Sequence, residues 1–151
     1  MRFRVVLVFA LLASSLPVSA AVKPEDAIDH PALLAQLEDE ARTARPREQC
    51  YLYTQIVHIM TEIAGRRLAE GETEEAAAVL KQVQHYAELI HLALARDTRR
   101  LRETEMLMQT TTHRLGQCLH LASSDDRPAL QATLAQLDRV NEELLTQVFQ
   151  H

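Results

Sequence analysis

The sequence predicts an all-α fold in which helical hairpins are built on one long central helix and form a bundle or coiled-coil-like assembly. Composition supports this class, because aromatic residues make up only 4% of the 151 residues and Trp is absent. Such a composition is typical of helices packed on helices. Periodicity supports it as well, because residues 74–122 contain no proline and a single glycine, Gly116. Apolar or small residues recur there at steps of three and four, as on one face of a helix.

The central helix is predicted to be continuous from residue 74 to residue 122. With Leu80 at position a, the heptad register continues without interruption through the whole segment. Its a and d positions are occupied by Leu80, Val83, Ala87, Ile90, Leu94, Asp97, Leu101, Thr104, Met108, Thr111, Leu115, Cys118 and Ala122. A helix of this length would extend for about 74 Å and would need partners along its whole length. The alternative is a break near residues 96–98 that folds the chain back into a compact monomeric bundle. Neither Gly nor Pro favours that break.

Helix start and stop signals delimit the other elements. Pro31 and Pro46 suit the first turn of a helix, and Gly71 is a stop signal followed by Thr73 as a capping residue. Ser123 and the acidic residues after it form a second turn before Pro128. These signals predict helices at about 31–44, 47–70, 74–122 and 125–149.

The central helix has too few partners within one chain. Counting residues places the second helix beside 74–98 and the last helix beside 97–122, so each half has one neighbour. Position g is also apolar, which makes the stripe too wide for one neighbour to bury. We therefore expect a homodimer in which two central helices cross antiparallel near Asp97, with Asp97 and Arg100 fixing the register.

The first twenty residues carry export information. Arg2 and Arg4 precede an apolar run at 5–16, and small residues at 17–20 suit cleavage after Ala20. We expect a signal peptide at 1–20, a flexible leader at 21–30 and a single helical domain at 31–151. Since no second apolar run follows, we expect no membrane span after cleavage and a periplasmic or secreted protein.

The net charge of the mature chain restricts the classes of molecule that it can bind. The chain has 16 Lys and Arg and 21 Asp and Glu, and removal of Arg2 and Arg4 with the signal leaves 14 − 21 = −7. An acidic chain without a basic stripe is a poor nucleic-acid binder, so we expect no nucleic-acid partner. It also gains no electrostatic attraction to anionic lipid.

The two cysteines, Cys50 and Cys118, are predicted to be too far apart for an intramolecular disulfide. An antiparallel hairpin sets Cys50 level with about Leu94, which leaves about 36 Å of helix before Cys118. Bridged cysteines need Cα atoms within about 7 Å. Two buried thiols, or a bond between chains, are the remaining interpretations.

Seven histidines raise the alternative of a transition metal ion, although we expect no cofactor. The best cluster is on the first hairpin, where His58 should lie level with His85, and Glu88 and His91 have a Glu-x-x-His spacing. A metal site would use His58, His85, Glu88 and His91. A solvated surface explains the same histidines, because His85 and His91 occupy heptad positions that point to different sides.

No catalytic motif is present in the sequence. A glycine-rich phosphate loop and a nucleophile elbow are both absent. We therefore expect a non-enzymatic protein that acts through protein contacts on its bundle faces, with a small metal-binding or metal-sensing bundle as the alternative.

Three segments carry a resemblance, namely residues 47–53, residues 85–91 and residues 144–151. Together they resemble a group of small exported helical proteins of acidobacteria. This resemblance implies a periplasmic address and carries no activity, ligand or catalytic residue. The turn at 68–75 also resembles a single tetratricopeptide-type helix pair, but no repeat of that period follows.

Overall fold

The structure is a computed structural model that describes residues 31–96 and 98–150. Those ranges contain five α-helices and no strand, so the predicted all-α class is confirmed. The signal peptide and leader predicted at 1–30 lie outside the described residues. The helices are α1 (Pro31–Thr43), α2 (Pro46–Ala69), α3 (Thr73–Leu94), α4 (Leu101–Leu121) and α5 (Arg127–Gln150).

The turn between α2 and α3 follows from its glycine. Gly71 has a φ of 77°, in the left-handed region that a residue without Cβ adopts at little cost. The N–H of Glu72 then donates to the Arg67 carbonyl at 2.8 Å, which satisfies one of the last carbonyls of α2. Arg67 also pairs with the Glu72 side chain. The chain therefore reverses within three residues and starts α3 antiparallel to α2.

Helices α2 to α5 form a four-helix bundle made of two antiparallel hairpins, α2/α3 and α4/α5. The hairpins lie side by side, with α2 against α4 and α3 against α5, whereas α3 and α4 are not neighbours among the described helices. Contacts along each pair keep a constant offset in sequence. On α2 and α4, His58 contacts Thr111 and Gly65 lies beside Cys118, and on α3 and α5, Gln84 pairs with Gln136 and His91 with Glu143. These constant offsets mean that α2 runs parallel to α4 and α3 runs parallel to α5.

The first helix packs on the outside of the bundle against α2. Tyr86 of α3 donates its hydroxyl to Glu38 at 3.2 Å, and Gln49 donates to the Ala41 carbonyl at 3.2 Å. Ala41 is fully buried at this contact. Helix α1 therefore covers the aromatic pair of Tyr53 and Tyr86, whose ring centroids are 5.9 Å apart.

The continuous helix predicted over 74–122 is wrong. Helix α3 ends at Leu94 and α4 begins at Leu101. The Thr98 hydroxyl donates to the Ala93 carbonyl, and the Arg99 N–H donates to the Arg47 carbonyl at 2.8 Å. Arg100 has a φ of 57°. The chain breaks here because folding back buries both halves of the wide apolar stripe within one molecule.

The break also removes the predicted reason for a homodimer. A crossing of two central helices at Asp97 needs a rod that the folded-back chain does not contain, and Asp97 itself lies outside the described residues. Each half of the stripe finds two neighbours within the chain rather than one. Association of two copies stays a prediction, and a crossing of that kind would require α3 and α4 to join.

The core is aliphatic and lies between the four bundle helices. Each helix contributes fully buried large residues, whose burial supplies most of the driving force for folding. They include Ile56, Met60, Leu80, Ile90, Met108, Leu115, Leu130, Leu137 and Leu144. Within the two described ranges, no helix is long and apolar enough to cross a bilayer.

Candidate functional site

The four residues predicted as metal ligands are divided between two sides of the bundle. His58 of α2 faces α4, where it contacts Thr111. His91 of α3 faces α5, where it contacts Glu143. His85 is exposed and lies edge-on to Tyr86. Among the described residues no three His, Cys, Asp or Glu side chains are placed to hold an ion, so the structure does not assemble this site, and a metal site stays a prediction.

The Thr111 hydroxyl links His58 to the backbone of α4. Its oxygen lies 2.9 Å from His58 Nδ1 and 2.7 Å from the Leu107 carbonyl oxygen. When the hydroxyl donates to that carbonyl, it accepts from Nδ1–H of the neutral ring.

The surroundings of His58 favour its neutral form. Burial lowers the pKa of the ring below its usual 6.5, Glu62 on the same helix opposes this shift, and Arg114 of α4 adds to it. Arg114 Nε also lies 3.7 Å from Glu62 Oε1. The α2/α4 interface thus partly desolvates the imidazole, and the neighbouring ion pair of Glu62 and Arg114 shifts its pKa in opposite directions.

Small and polar residues line this α2/α4 contact, which we call the threonine seam. On α2 they follow one another at steps of four, three and four, so they share one face. On α4 they recur every seven residues. The seam consists of Thr54, His58, Thr61, Gly65, Thr104, Thr111 and Cys118. Such residues bury less apolar surface than Leu or Ile would at the same positions.

In the part of the threonine seam nearer the α2/α3 turn, Cys118 packs closely on Gly65, and one threonine hydroxyl has no hydrogen-bond partner among the described residues. A Cβ built on Gly65 would lie 3.1 Å from Cys118 Sγ, so the sulfur packs directly over the helix backbone. Thr61 Oγ1 is buried without a hydrogen-bond partner in the described part of the chain. A buried hydroxyl without a partner lowers stability. The unpaired hydroxyl therefore reduces the stability of the α2/α4 contact.

The second contact is a groove between α3 and α5, which we call the α3/α5 groove. It has a volume of about 130 Å³. Across it, His91 Nδ1 donates to Glu143 Oε2 at 2.7 Å. The pKa of His91 is raised, first by this hydrogen bond and then by the charge of Glu143, while Arg139 opposes the shift. The groove is lined by Ala87, Glu88, His91, Gln136, Arg139, Val140 and Glu143.

Glutamine side chains tie α3 to α5 on either side of the groove. Gln84 donates to the Thr133 hydroxyl at 2.8 Å, and Gln136 donates back to the Gln84 carbonyl at 3.0 Å. Gln147 donates to the Leu94 carbonyl at 2.8 Å. Sequence reasoning missed this contact, although Gln84 and His91 are seven residues apart, as are Gln136 and Glu143. Matching polar residues at heptad spacing on two helices were the available signal.

Both cysteines are free thiols. Cys50 is fully buried, and burial raises the pKa of its thiol to about 12. Cys118 faces Gly65, which lies fifteen residues from Cys50 on α2, or roughly 22 Å by helical rise. A thiol with a raised pKa is a poor nucleophile and metal ligand.

No family model, curated protein or solved structure matches the chain. The resemblance to exported proteins of acidobacteria therefore stays an expectation from three short segments.

Proposed function

We propose that this protein is an exported, non-enzymatic helical-bundle protein that works in the periplasm through contacts with another protein. Exposed apolar side chains support the proposal. Leu121 at the end of α4 is 89% exposed, and Phe149 at the end of α5 is 85% exposed. Of the two, Phe149 is the better candidate for an anchor, because aromatic side chains are enriched in the buried centres of protein interfaces.

Phe149 gives the sharpest test of protein contacts. The side chain lies outside the core, so Phe149→Ser should leave folding intact and weaken partner capture. Ala135→Ser is a matched control, since Ala135 is exposed on the same helix. We expect a periplasmic protein to copurify with the unchanged chain and with Ala135→Ser, and to be depleted with Phe149→Ser. Equal recovery with all three proteins would contradict an anchor at Phe149.

Export is tested by locating the first residue of the mature chain. We expect a protein isolated from the periplasmic fraction to begin at Ala21, because Ala20 ends the predicted signal peptide. Intact-mass spectrometry of that fraction reads the cleavage site directly. A full-length mass confined to the cytoplasmic fraction would contradict export.

Metal binding is the alternative function. The predicted ligands His58 and His91 lie at different contacts, so one ion cannot use both in this arrangement. Titration with copper, nickel and zinc separates the alternatives. Stoichiometric binding tighter than micromolar that is lost in His58→Ala would favour metal binding over protein contacts alone.

A further inference from the structure

The connection between α3 and α4 has a helical sequence pattern, but residues 95, 96 and 98–100 are not part of a helix. Its six residues, 95–100, include neither Gly nor Pro, and the heptad register of α3 continues through them into α4. Arg100 nevertheless has a φ of 57°. A residue with a Cβ disfavours that conformation by roughly 5- to 30-fold in population. Nothing in the local sequence requires the turn, so the fold must impose it.

The turn is imposed by a short connection across a long span. Helices α3 and α4 are not neighbours among the described elements, so the chain must cross the end of the bundle between diagonal positions. It passes over the start of α2, where Arg99 bonds to Arg47 and the Arg100 guanidinium lies 3.7 Å from the centre of the Tyr51 ring. Short connections under strain favour exchange of the elements that they join.

The contacts between hairpins do not depend on this connection. They join α2 to α4 and α3 to α5, through His58 with Thr111 on one side and His91 with Glu143 on the other. A second copy carries the same α4/α5 hairpin and can supply every one of these contacts. An exchanged bundle would therefore be as well packed as the monomer.

We propose that the chain also forms a domain-swapped homodimer, in which residues 95–100 become helical and α3 and α4 join into one rod. Each four-helix bundle then takes α2/α3 from one copy and α4/α5 from the other. The occupant of the exchanged surface is a second copy of this chain. This inference goes beyond the proposed function and does not rest on it.

Few interactions separate the two forms. The swap loses the Arg99 backbone bond to Arg47, the Arg99 ion pair with Glu48, the stacking of Arg100 on Tyr51 and the Thr98 bond to Ala93. It gains helical hydrogen bonds over six residues and relieves the left-handed Arg100. Exchange requires the hairpins to part at both contacts, the threonine seam and the α3/α5 groove, and the small polar residues of both contacts bury less apolar surface than Leu or Ile would. We therefore expect monomer and dimer to be separable and the dimer fraction to rise with refolding concentration.

A disulfide across the threonine seam reports which chains share a bundle. The Cβ position of Gly65 lies 3.1 Å from Cys118 Sγ, so Gly65→Cys can bond to the native Cys118 in a Cys50→Ala background. We expect the oxidised monomer fraction to close the bond within one chain. We expect the oxidised dimer fraction to run as a covalent dimer on a denaturing, non-reducing gel.

A second cysteine pair tests the exchange independently, in case Gly65→Cys prevents folding. His58→Cys with Thr111→Cys, in a background of Cys50→Ala and Cys118→Ala, places thiols at another point of the seam. A dimer fraction whose bonds close within single chains in both pairs would overturn the swap. Light scattering that finds only monomer after refolding at about millimolar concentration would overturn it as well.

Arg100→Gly tests the cause of the exchange. Glycine adopts the left-handed conformation freely and disfavours the continuous helix, and in each of the two chains these effects together outweigh the stacking on Tyr51 that the substitution removes from the monomer. We expect the dissociation constant of the dimer to rise roughly 30-fold or more. Arg102→Gly is the control, because Arg102 is helical in both forms and should change that constant little. Equal effects of the two substitutions would contradict a strained turn at Arg100.

Discussion

At position 65 of α2, the missing side chain lets Cys118 of α4 pack directly on the helix backbone. An alanine Cβ there would lie 3.1 Å from the sulfur, closer than ordinary packing allows. Ala normally stabilises a helix interior by about 1 kcal/mol relative to Gly. We expect Gly65→Ala to give less than this gain in the native chain and the full gain in a Cys118→Ala background. Urea unfolding of the double-mutant cycle measures the coupling, and additive free energies would contradict the close approach.

His58 should make the protein sensitive to acid. Its folded pKa lies below the unfolded value of about 6.5, so the folded state binds fewer protons. Its contribution to stability is fully present above about pH 6.5 and is lost as the pH falls through that value toward the folded pKa. We expect His58→Gln to reduce the loss of unfolding free energy between about pH 7.5 and about pH 5. The exposed His85→Gln is the control, and equal losses in both variants would contradict this role.

His91 should act in the opposite direction. Its pKa is raised by the hydrogen bond and charge of Glu143, so its contribution is present below about pH 6.5 and is lost as the pH rises through the folded pKa. The pair is solvent-exposed, and the effect is therefore small and salt-dependent. NMR titration of the ring protons should give a pKa for His91 above that of His58. The reverse order would contradict the assigned contacts.

Single residues of the site were only partly predictable from the sequence. The histidines stood out by type and spacing, but the helix that each would face could not be deduced, because that depends on how the hairpins stack. His58 was paired with His85 of the neighbouring α3, whereas the structure pairs it with Thr111 of α4. The polar residues of α5 were not connected to α3 for the same reason.

At the scale of elements, local signals located most helix ends. Pro31, Pro46 and Gly71 placed the ends of α1 and α2 within a residue of the observed bounds. The break after Leu94 had no such signal, because Arg100 takes its left-handed conformation under tertiary constraint. A heptad pattern indicates which face of a helix is buried, but it does not indicate whether the chain turns between two buried segments.

The orientation of α3 predicts that alanine substitutions at two nearby residues differ strongly in their effect on stability. Ile90 is fully buried whereas Leu92 is 55% exposed. We expect Ile90→Ala to lower the free energy of unfolding by about 2–5 kcal/mol through a lost contact and a cavity. Leu92→Ala should change it by less than about 0.5 kcal/mol. Chemical unfolding measures both, and similar losses would mean that α3 is rotated from the described orientation.

At the scale of the whole molecule, the central claim is that two hairpins side by side complete a bundle within one chain. The wide apolar stripe that predicted a second copy is instead buried by the chain itself. The sequence predicts how much surface must be covered, but folding back and pairing with a second copy satisfy that demand equally. Only the short connection at 95–100 decides between them, which is why both forms are expected.

The distance between the far ends of α3 and α4 in the monomer tests this claim most directly. Ala78 and Gln117 are exposed, and each can carry a spin label as cysteine in a background of Cys50→Ala and Cys118→Ala. In the folded-back bundle both positions lie at the same end, on the outer faces of diagonal helices, so pulsed electron resonance should give a separation of about 20–35 Å. A monomer with a separation near 58 Å, the length of a straight helix between them, would contradict the bundle.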